Sequence, residues 1–195
     1  MEFQGFKDWL IVAAKQADAC ASQYKRALES QTWEQLLTVV KENANWLYSN
    51  NIITTDSLVN VPDEILLENG IYVKKTNVTQ NAGLAIYYSS TSEHYGSSTS
   101  NHYDSSTSKH YGSSTSNHYD SSTSEHYGSS TSEHYGSSTS NHYGSSTSKH
   151  YGSSTYGSVY ELKDTSIIHD QAIVRERSSD KIYMKKGAFE IVQID

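Results

Sequence analysis

Cysteine, proline and phenylalanine are nearly missing from this 195-residue chain, which has one Cys, one Pro and three Phe. A lone thiol, Cys20, cannot close an internal disulfide, and that excludes a small disulfide-stapled scaffold. A lone proline, Pro62, excludes a Pro-rich linker. Charged residues are only 19% and hydrophobic ones 35%. Both are below the globular average, yet disordered segments are typically charge-rich, so the composition matches neither class. No block of five or six Lys/Arg occurs and the net charge is −7. Duplex-binding domains carry a basic footprint, so no nucleic-acid partner is expected. No apolar run approaches 18 residues, so no membrane-spanning helix is expected. Lys7, Asp8 and Lys15 interrupt the apolar residues of 1–28, which argues against a secretory leader and for a cytoplasmic location. The phosphate-cradling, dinucleotide-binding and H-E-x-x-H zinc patterns are all absent.

What the chain has instead is a patterned head and a repeat. Phe6, Trp9, Leu10, Ala13, Ala17, Cys20, Tyr24, Ala27 and Leu28 recur at steps of three and four, the mark of one apolar helix face. A second stripe follows in Trp33, Leu36, Leu37, Val40, Ala44 and Leu47, with Thr32 and Gln35 spaced as a capping box and Ser49-Asn50-Asn51 as its stop. Two such helices predict an αα-hairpin. A short third helix is expected over 62–68, opened by Pro62, Asp63 and Glu64 and followed by Gly70. At least two of Trp9, Trp33 and Trp46 are expected in the core, and Cys20 is expected as a buried structural thiol.

From Ser89 the pattern S-S-T-S-x-H-Y-[G/D] runs for eight units without a gap. Only two positions vary: x is Glu, Asn or Lys, and the last is Gly or Asp. Eight residues suit a strand of about five plus a tight turn, and two units suit one solenoid coil stacked about 4.8 Å from the next. The fold class expected is therefore α+β: an N-terminal helical hairpin, then a two-sided β-solenoid of about 16 residues per coil with a C-terminal β cap. Its parts are a head over 1–70, an N-terminal β coil over 71–88, the repeats over 89–152, and closing coils over 153–195. Apolar strand-like segments bracket the repeats, among them Leu84–Tyr88, Ile167-Ile168, Ala172–Arg175, Phe189–Val192 and the paired motifs IYVKK (71–75) and IYMKK (182–186).

Strand alternation assigns the faces. A position accepting Glu, Asn or Lys must be solvated, so Thr, x and Tyr face out, while Ser92, His94 and their copies face in. The outward tyrosines form two ladders, Tyr95, Tyr111, Tyr127 and Tyr143 on one side and Tyr103, Tyr119, Tyr135 and Tyr151 on the other, and these are the candidate interaction surface. The inward histidines His94, His102, His110, His118, His126, His134, His142 and His150 form two columns. They are the only candidates for metal, but the repeat has neither Cys nor a consistent acid, so no metal centre and no cofactor is assigned. Protonating the histidines would set like charges against one another, so the stack is expected to loosen below about pH 6. Ser, His and Asp in each unit make no catalytic triad, which is one constellation with an oxyanion hole rather than eight copies of a turn. The chain is expected to be a non-catalytic scaffold or spacer, with a protein partner or self-association through the head as a homodimer; the alternative is a metal- or ligand-binding module built on the histidine columns.

The Y-G-S-S-T octets resemble the repeats of bacterial ice-nucleation proteins over about a third of the chain. Ice binding there implies Thr-x-Thr on a flat face, whereas Thr91 is followed two residues on by Glu93. The chain more closely resembles the uncharacterised octapeptide-repeat proteins of gut bacteria and their phages. Those pair a helical N-terminal region with S-S-T-V-x-A-Y-G-like repeats and a short β tail. The likeness includes WEQLLTVVKENANWLYSNNII and VRERSSDKIYMKKGAFEIV. It implies the same fold, a phage or mobile-element setting and no established activity. Val and Ala stand there where this chain has Ser92 and His94, the positions assigned to the interior.

Overall fold

The computed structural model describes residues 1–151, 156–159, 167–168, 173–177 and 179–184. It divides into two compact units, Met1–Val73 and Lys74–Asp195.

The first unit holds six short helices: α1 (Phe3–Gln16), α2 (Ala21–Glu29), α3 (Trp33–Glu42), α4 (Ala44–Ser49), α5 (Thr55–Leu58) and α6 (Asp63–Glu68). Each of the two long helices expected from the sequence is thus cut in two. Asp18 breaks the first by entering the left-handed region at φ 57°. Asp18 N–H then bonds Lys15 O and Ala19 N–H bonds Ala14 O, the paired closure of a Schellman motif with Asp where Gly is usual. Asn43 breaks the second at φ −115°, ψ 19°, and its side-chain amide donates to Val39 O. Thr32 caps α3 by accepting from Gln35 N–H at 3.3 Å, but the Gln35 side chain accepts from Gln31 N–H rather than closing the box. A complete capping box does form at Thr54 and Ser57, with Ser in place of the usual Glu or Gln.

Phe6, Leu10, Leu36, Leu37, Val40, Ile53 and Leu58 make the head's core. None of the three tryptophans joins it fully. Trp33 and Trp46 are half-buried and Trp9 is 37% exposed. Trp9 and Trp33 flank the buried Phe6 ring, at 5.5 and 5.4 Å between centroids. Cys20 is likewise exposed, because the break at Asp18 carries it off the helix face to the start of α2.

The second fold element is the solenoid. Strand β1 (Ile71–Val73) leads a seven-stranded sheet, continuing through β3 (Leu84–Tyr88), β5 (Thr99–Tyr103), β7 (Thr115–His118), β9 (Thr131–His134), β11 (Thr147–His150) and β13 (Ile167–Ile168). The other sheet has eight strands: β2 (Val78–Gln80), β4 (Thr91–His94), β6 (Thr107–His110), β8 (Thr123–His126), β10 (Thr139–His142), β12 (Tyr156–Val159), β14 (Ile173–Glu176) and β15 (Lys181–Met184). Odd and even units therefore go to opposite sheets, and two octets make one coil. Pairing is parallel and in register, with Thr on Thr, Ser on Ser and His on His sixteen residues apart. Only β15 runs antiparallel, folding back on β14. The two sequence motifs noted as matching pieces hold comparable places: β1 ends one sheet and β15 ends the other. The segment 189–192 lies outside the described residues.

The last position of the octet makes the corner. It is left-handed at every described copy, with φ 53–73° at Gly96, Asp104, Gly112, Asp120, Gly128, Gly136 and Gly144. One corner column is glycine throughout (96, 112, 128, 144). A Cβ on Gly112 would stand 3.3 Å from Gly96 O, the atom that accepts from Ser113 N–H to tie neighbouring coils. The other column accepts Asp104 and Asp120, and Asp is among the few side chains that tolerate this backbone region.

Candidate functional site

Three residues of each octet turn inward rather than the two read from the sequence. The serine before Thr (Ser98, Ser106, Ser114 and copies), the serine after it (Ser92, Ser100 and copies) and the histidine are all buried. The strand alternation extends one residue further back than Thr, which is the sequence signal for this third inward position. The described repeats therefore enclose a core of hydroxyls and imidazoles, and their one buried hydrophobic residue is Tyr103.

The histidines stack as two columns. Along one, His94, His110, His126 and His142 lie 4.4–4.6 Å apart between centroids. Along the other, His102, His118, His134 and His150 lie 4.7–4.9 Å apart. Rings within a column are nearly parallel, while rings of opposite columns meet edge to face at 5.1–6.3 Å. In the first six units Nε2 hydrogen-bonds the serine two residues back at 2.9–3.0 Å, as in Ser92–His94 and Ser116–His118. Nδ1 of those six rings has no partner, and neither have the hydroxyls of Ser98, Ser114, Ser122, Ser130 and Ser138 four residues on. His142 shows the two can meet, since its Nδ1 lies 3.2 Å from Ser146 Oγ. A buried polar atom left unpaired costs on the order of 1–3 kcal/mol, so this core is held at some expense in stability.

Burial also decides the charge state. It holds His94 and His150 down to about 4 and His118 to about 3. It holds the remaining columns well below the ordinary imidazole range, with the neighbouring rings adding to the effect. The columns are neutral at pH 7.

Other residues take the register places of histidine at both ends of the columns. At the N-terminal end Tyr87 takes the register place of a histidine and stacks on His102 at 4.8 Å. Gln80 takes the other, and its amide nitrogen donates to Gly83 O at 2.8 Å while its oxygen accepts from Tyr87 Oη. At the C-terminal end Val159 and Ile168 stand in register with His142 and His150.

For a metal, the nitrogens of His94/His102/His110, His110/His118/His126 and His126/His134/His142 come within 4.8 Å of one another. Lone pairs lie in the ring plane, so parallel stacked rings aim theirs side by side instead of at one point. Ligation at about 2.0–2.1 Å would need rings to rotate out of the stack.

The tyrosine ladders stand where the sequence reading put them, outside the sheets. Rings of Tyr95, Tyr111, Tyr127 and Tyr143 stack at 4.8–5.0 Å, and those of Tyr103, Tyr119, Tyr135 and Tyr151 at 4.9 Å. Tyr103, stacked also on Tyr88, is itself buried, so the second ladder is accessible only from Tyr119 onward. The Arg177 guanidinium lies over Tyr143 at 4.3 Å and finishes the first. Stacking uses the faces of the inner rings and leaves edges and hydroxyls for contact. Wherever x is Glu, the tyrosine two residues on donates to it: Tyr95 to Glu93, Tyr127 to Glu125 and Tyr135 to Glu133. Partial burial and that carboxylate push Tyr127 up to about 12.

The x positions sort by coil. One column reads Glu93, Lys109, Glu125, Asn141 and the other Asn101, Asn117, Glu133, Lys149. No two like charges stand next to each other, although Glu125 and Glu133 are successive along the chain. Lys109 pairs with Glu125 at 3.6 Å, Lys149 with Glu133 at 2.9 Å, and Asn117 donates to Asn101 at 3.0 Å. Thr139 and Thr147 likewise donate to Thr123 and Thr131 at 3.4 Å.

The head carries one apolar pocket of about 210 Å³ that the sequence did not announce, bordered by Leu10, Tyr24, Ala27, Val40, Trp46 and Leu47. Cys20 lies at its edge; the Gln23 backbone N–H and the Ser22 hydroxyl lower its thiol's pKa. Among the described residues no helix is long and apolar enough to cross a membrane. Comparison with family models, with curated proteins and with solved structures finds no match to this chain, so its reading rests on the geometry above.

Proposed function

We propose that this chain is a non-catalytic scaffold or spacer, a solenoid whose sides offer tyrosine and threonine ladders to a protein partner while the helical head anchors or self-associates it. The observation that carries this reading is the sameness of the outer surface from coil to coil. Thr, x and Tyr recur at one spacing, with the tyrosine rings stacked along each column and threonine and asparagine pairs hydrogen-bonded between coils. A catalytic site is one constellation of base, nucleophile and oxyanion donors, and the repeat supplies eight equal turns instead. Likeness to the octapeptide-repeat proteins of gut bacteria and their phages supports a narrower form, an accessory protein of a mobile element that engages a host protein.

A spacer has a length that matters and a surface that does not change with it. Inserting sixteen residues after Gly112 should lengthen the solenoid by about 4.8 Å, measurable by fluorescence transfer between labels at its two ends. Two such insertions should double the change. A transfer efficiency that ignores the insertions removes the spacer reading. Light scattering across a concentration series tests the anchor: mass rising toward two chains supports self-association, and a monomer throughout removes it.

A further inference from the structure

The eight imidazoles of the solenoid are more than filling. All are buried, 0–1% exposed, and packed ring on ring at 4.4–4.9 Å. Each would acquire a positive charge with another imidazole on at least one face and a third at its edge. The groups facing them offer nothing to balance that charge. From β4 to β11 the buried side chains are serine and histidine, with the neutral phenol of Tyr103 the one addition. At the N-terminal end they are Tyr87, a neutral phenol, and the amide of Gln80. At the C-terminal end Arg177 donates to His142 O and adds positive charge. Glu176 is buried there, two strands beyond His142 with Val159 in register between them, and it accepts from Ser179 and Tyr183. Glu93, Glu125 and Glu133 lie on the outer faces, hydrogen-bonded to tyrosines, with Lys109 and Lys149 beside them. Asp104 and Asp120 sit at the corners.

We propose that the repeat stack is a proton-released latch, closed at neutral pH and opening all its coils together as the surroundings fall toward about pH 5. The cooperativity comes from the stacking. Protonating one ring raises the cost of protonating the next, so the folded stack resists the first proton. Once a coil opens, its histidines charge in water and cannot return. The inference does not depend on what the solenoid carries.

The sign follows from linkage. Each folded histidine titrates below its unfolded value of about 6.5, so its contribution is full above that pH and is lost as the pH falls toward the folded value, which is about 4 for His94 and His150 and about 3 for His118. The unfolded chain takes up as many as eight protons that the folded stack refuses. Over His94, His118 and His150 alone the folded-to-unfolded ratio drops by about 10² at pH 6 and about 10⁴ at pH 5, and the other five sites act in the same direction.

The test uses the full-length protein. Far-UV circular dichroism is followed from pH 8 to pH 4, and urea unfolding is repeated at each pH to give the number of protons taken up. A cooperative loss of β signal between pH 6 and 5, reversed at pH 7.5, with a slope approaching eight protons per chain, is the expected result. The head contains no histidine, so helical signal surviving that transition would place the change in the repeats. A slope of two protons or fewer, or histidine resonances that titrate near 6.5 while the β signal stays intact, would overturn the proposal. Replacing His110, His118, His126 and His134 by Gln keeps a neutral polar side chain and should halve the slope and lower the transition pH. A folded variant with an unchanged slope also overturns it, and should that variant fail to fold, the native protein's slope decides alone.

Discussion

The head and the repeats solve the same problem with opposite materials. The head excludes water from Phe6, Leu36, Leu37, Ile53 and Leu58, and irregular helices suffice because apolar packing is undirected. The repeats exclude water from serine and histidine, whose burial is favourable only where hydrogen bonds and ring contacts are met. Direction demands regularity. A core of hydroxyls and imidazoles works only if each coil repeats the last, which is why the octets barely vary while no two helices of the head are alike. The flanks begin and end the repeat core with other residues: Ala85 and Tyr87 stand in register with Ser100 and His102 at one end, and Val159 and Ile168 stand in register with His142 and His150 at the other.

The sharpest way to break that comparison is to remove repeats by ones and twos. Deleting residues 113–128 takes out one coil and leaves every face, corner column and end strand in place. Its melting temperature should stay within about 4 °C of the parent, since each coil contacts only its neighbours. Deleting residues 113–120 alone carries every later strand to the opposite sheet. The all-glycine corner then meets Asp104's column, and the end strands lose their partners. A fall of at least about 10 °C is expected by differential scanning calorimetry, corresponding to about 4 kcal/mol. Equal melting of the two deletions would mean that the sheets are interchangeable and the sixteen-residue coil is not the unit.

A smaller effect sharpens the contrast of materials. Phe6→Ala in the head should cost about 3–5 kcal/mol by urea unfolding, the transfer term plus a cavity. Ser116→Ala removes a single oxygen and opens almost no space, yet strands Nε2 of His118 and should cost about 1–3 kcal/mol. A double-mutant cycle with His118→Gln should return a coupling of about 0.5–3 kcal/mol. No coupling would mean that the serine–histidine bonds contribute nothing and that ring stacking alone holds the core.

Much of this was legible in the chain, and the parts that were not share a cause. The octet, its two-per-coil stacking and the outward x position follow from period and alternation, which a uniform repeat displays eight times over. Two confirming signals lay one step further. Glycine recurs every sixteen residues from Gly96, and charges at x avoid their own kind every sixteen residues, although in chain order both look loosely mixed. The head was less legible because its breaks depend on single residues. Asp18 taking a left-handed turn and Asn43 bonding back to Val39 leave the apolar period intact while bending the axis, so periodicity reads through them. Cys20 belongs by period to a continuous face that the break at Asp18 divides.

The smallest effects concern the outer ladders and the columns as ligands. Lys109→Glu would set three carboxylates in a row at Glu93, position 109 and Glu125. The side chains are a third to a half exposed, so the penalty should remain under about 1 kcal/mol and vanish in 0.5 M salt. A penalty that persists in salt would show that the ladder is held by geometry rather than charge. Chelation should do less still. Parallel imidazoles with Nε2 engaged by serine hold together without an ion, so EDTA is expected to leave the melting temperature unchanged. Under the same logic zinc added at neutral pH should raise it by less than about 2 °C, because ligation first requires unstacking rings that the folded solenoid keeps closed. A large zinc-induced rise would mean that the columns open and re-form around metal, and the core would then be a ligand set rather than a packing.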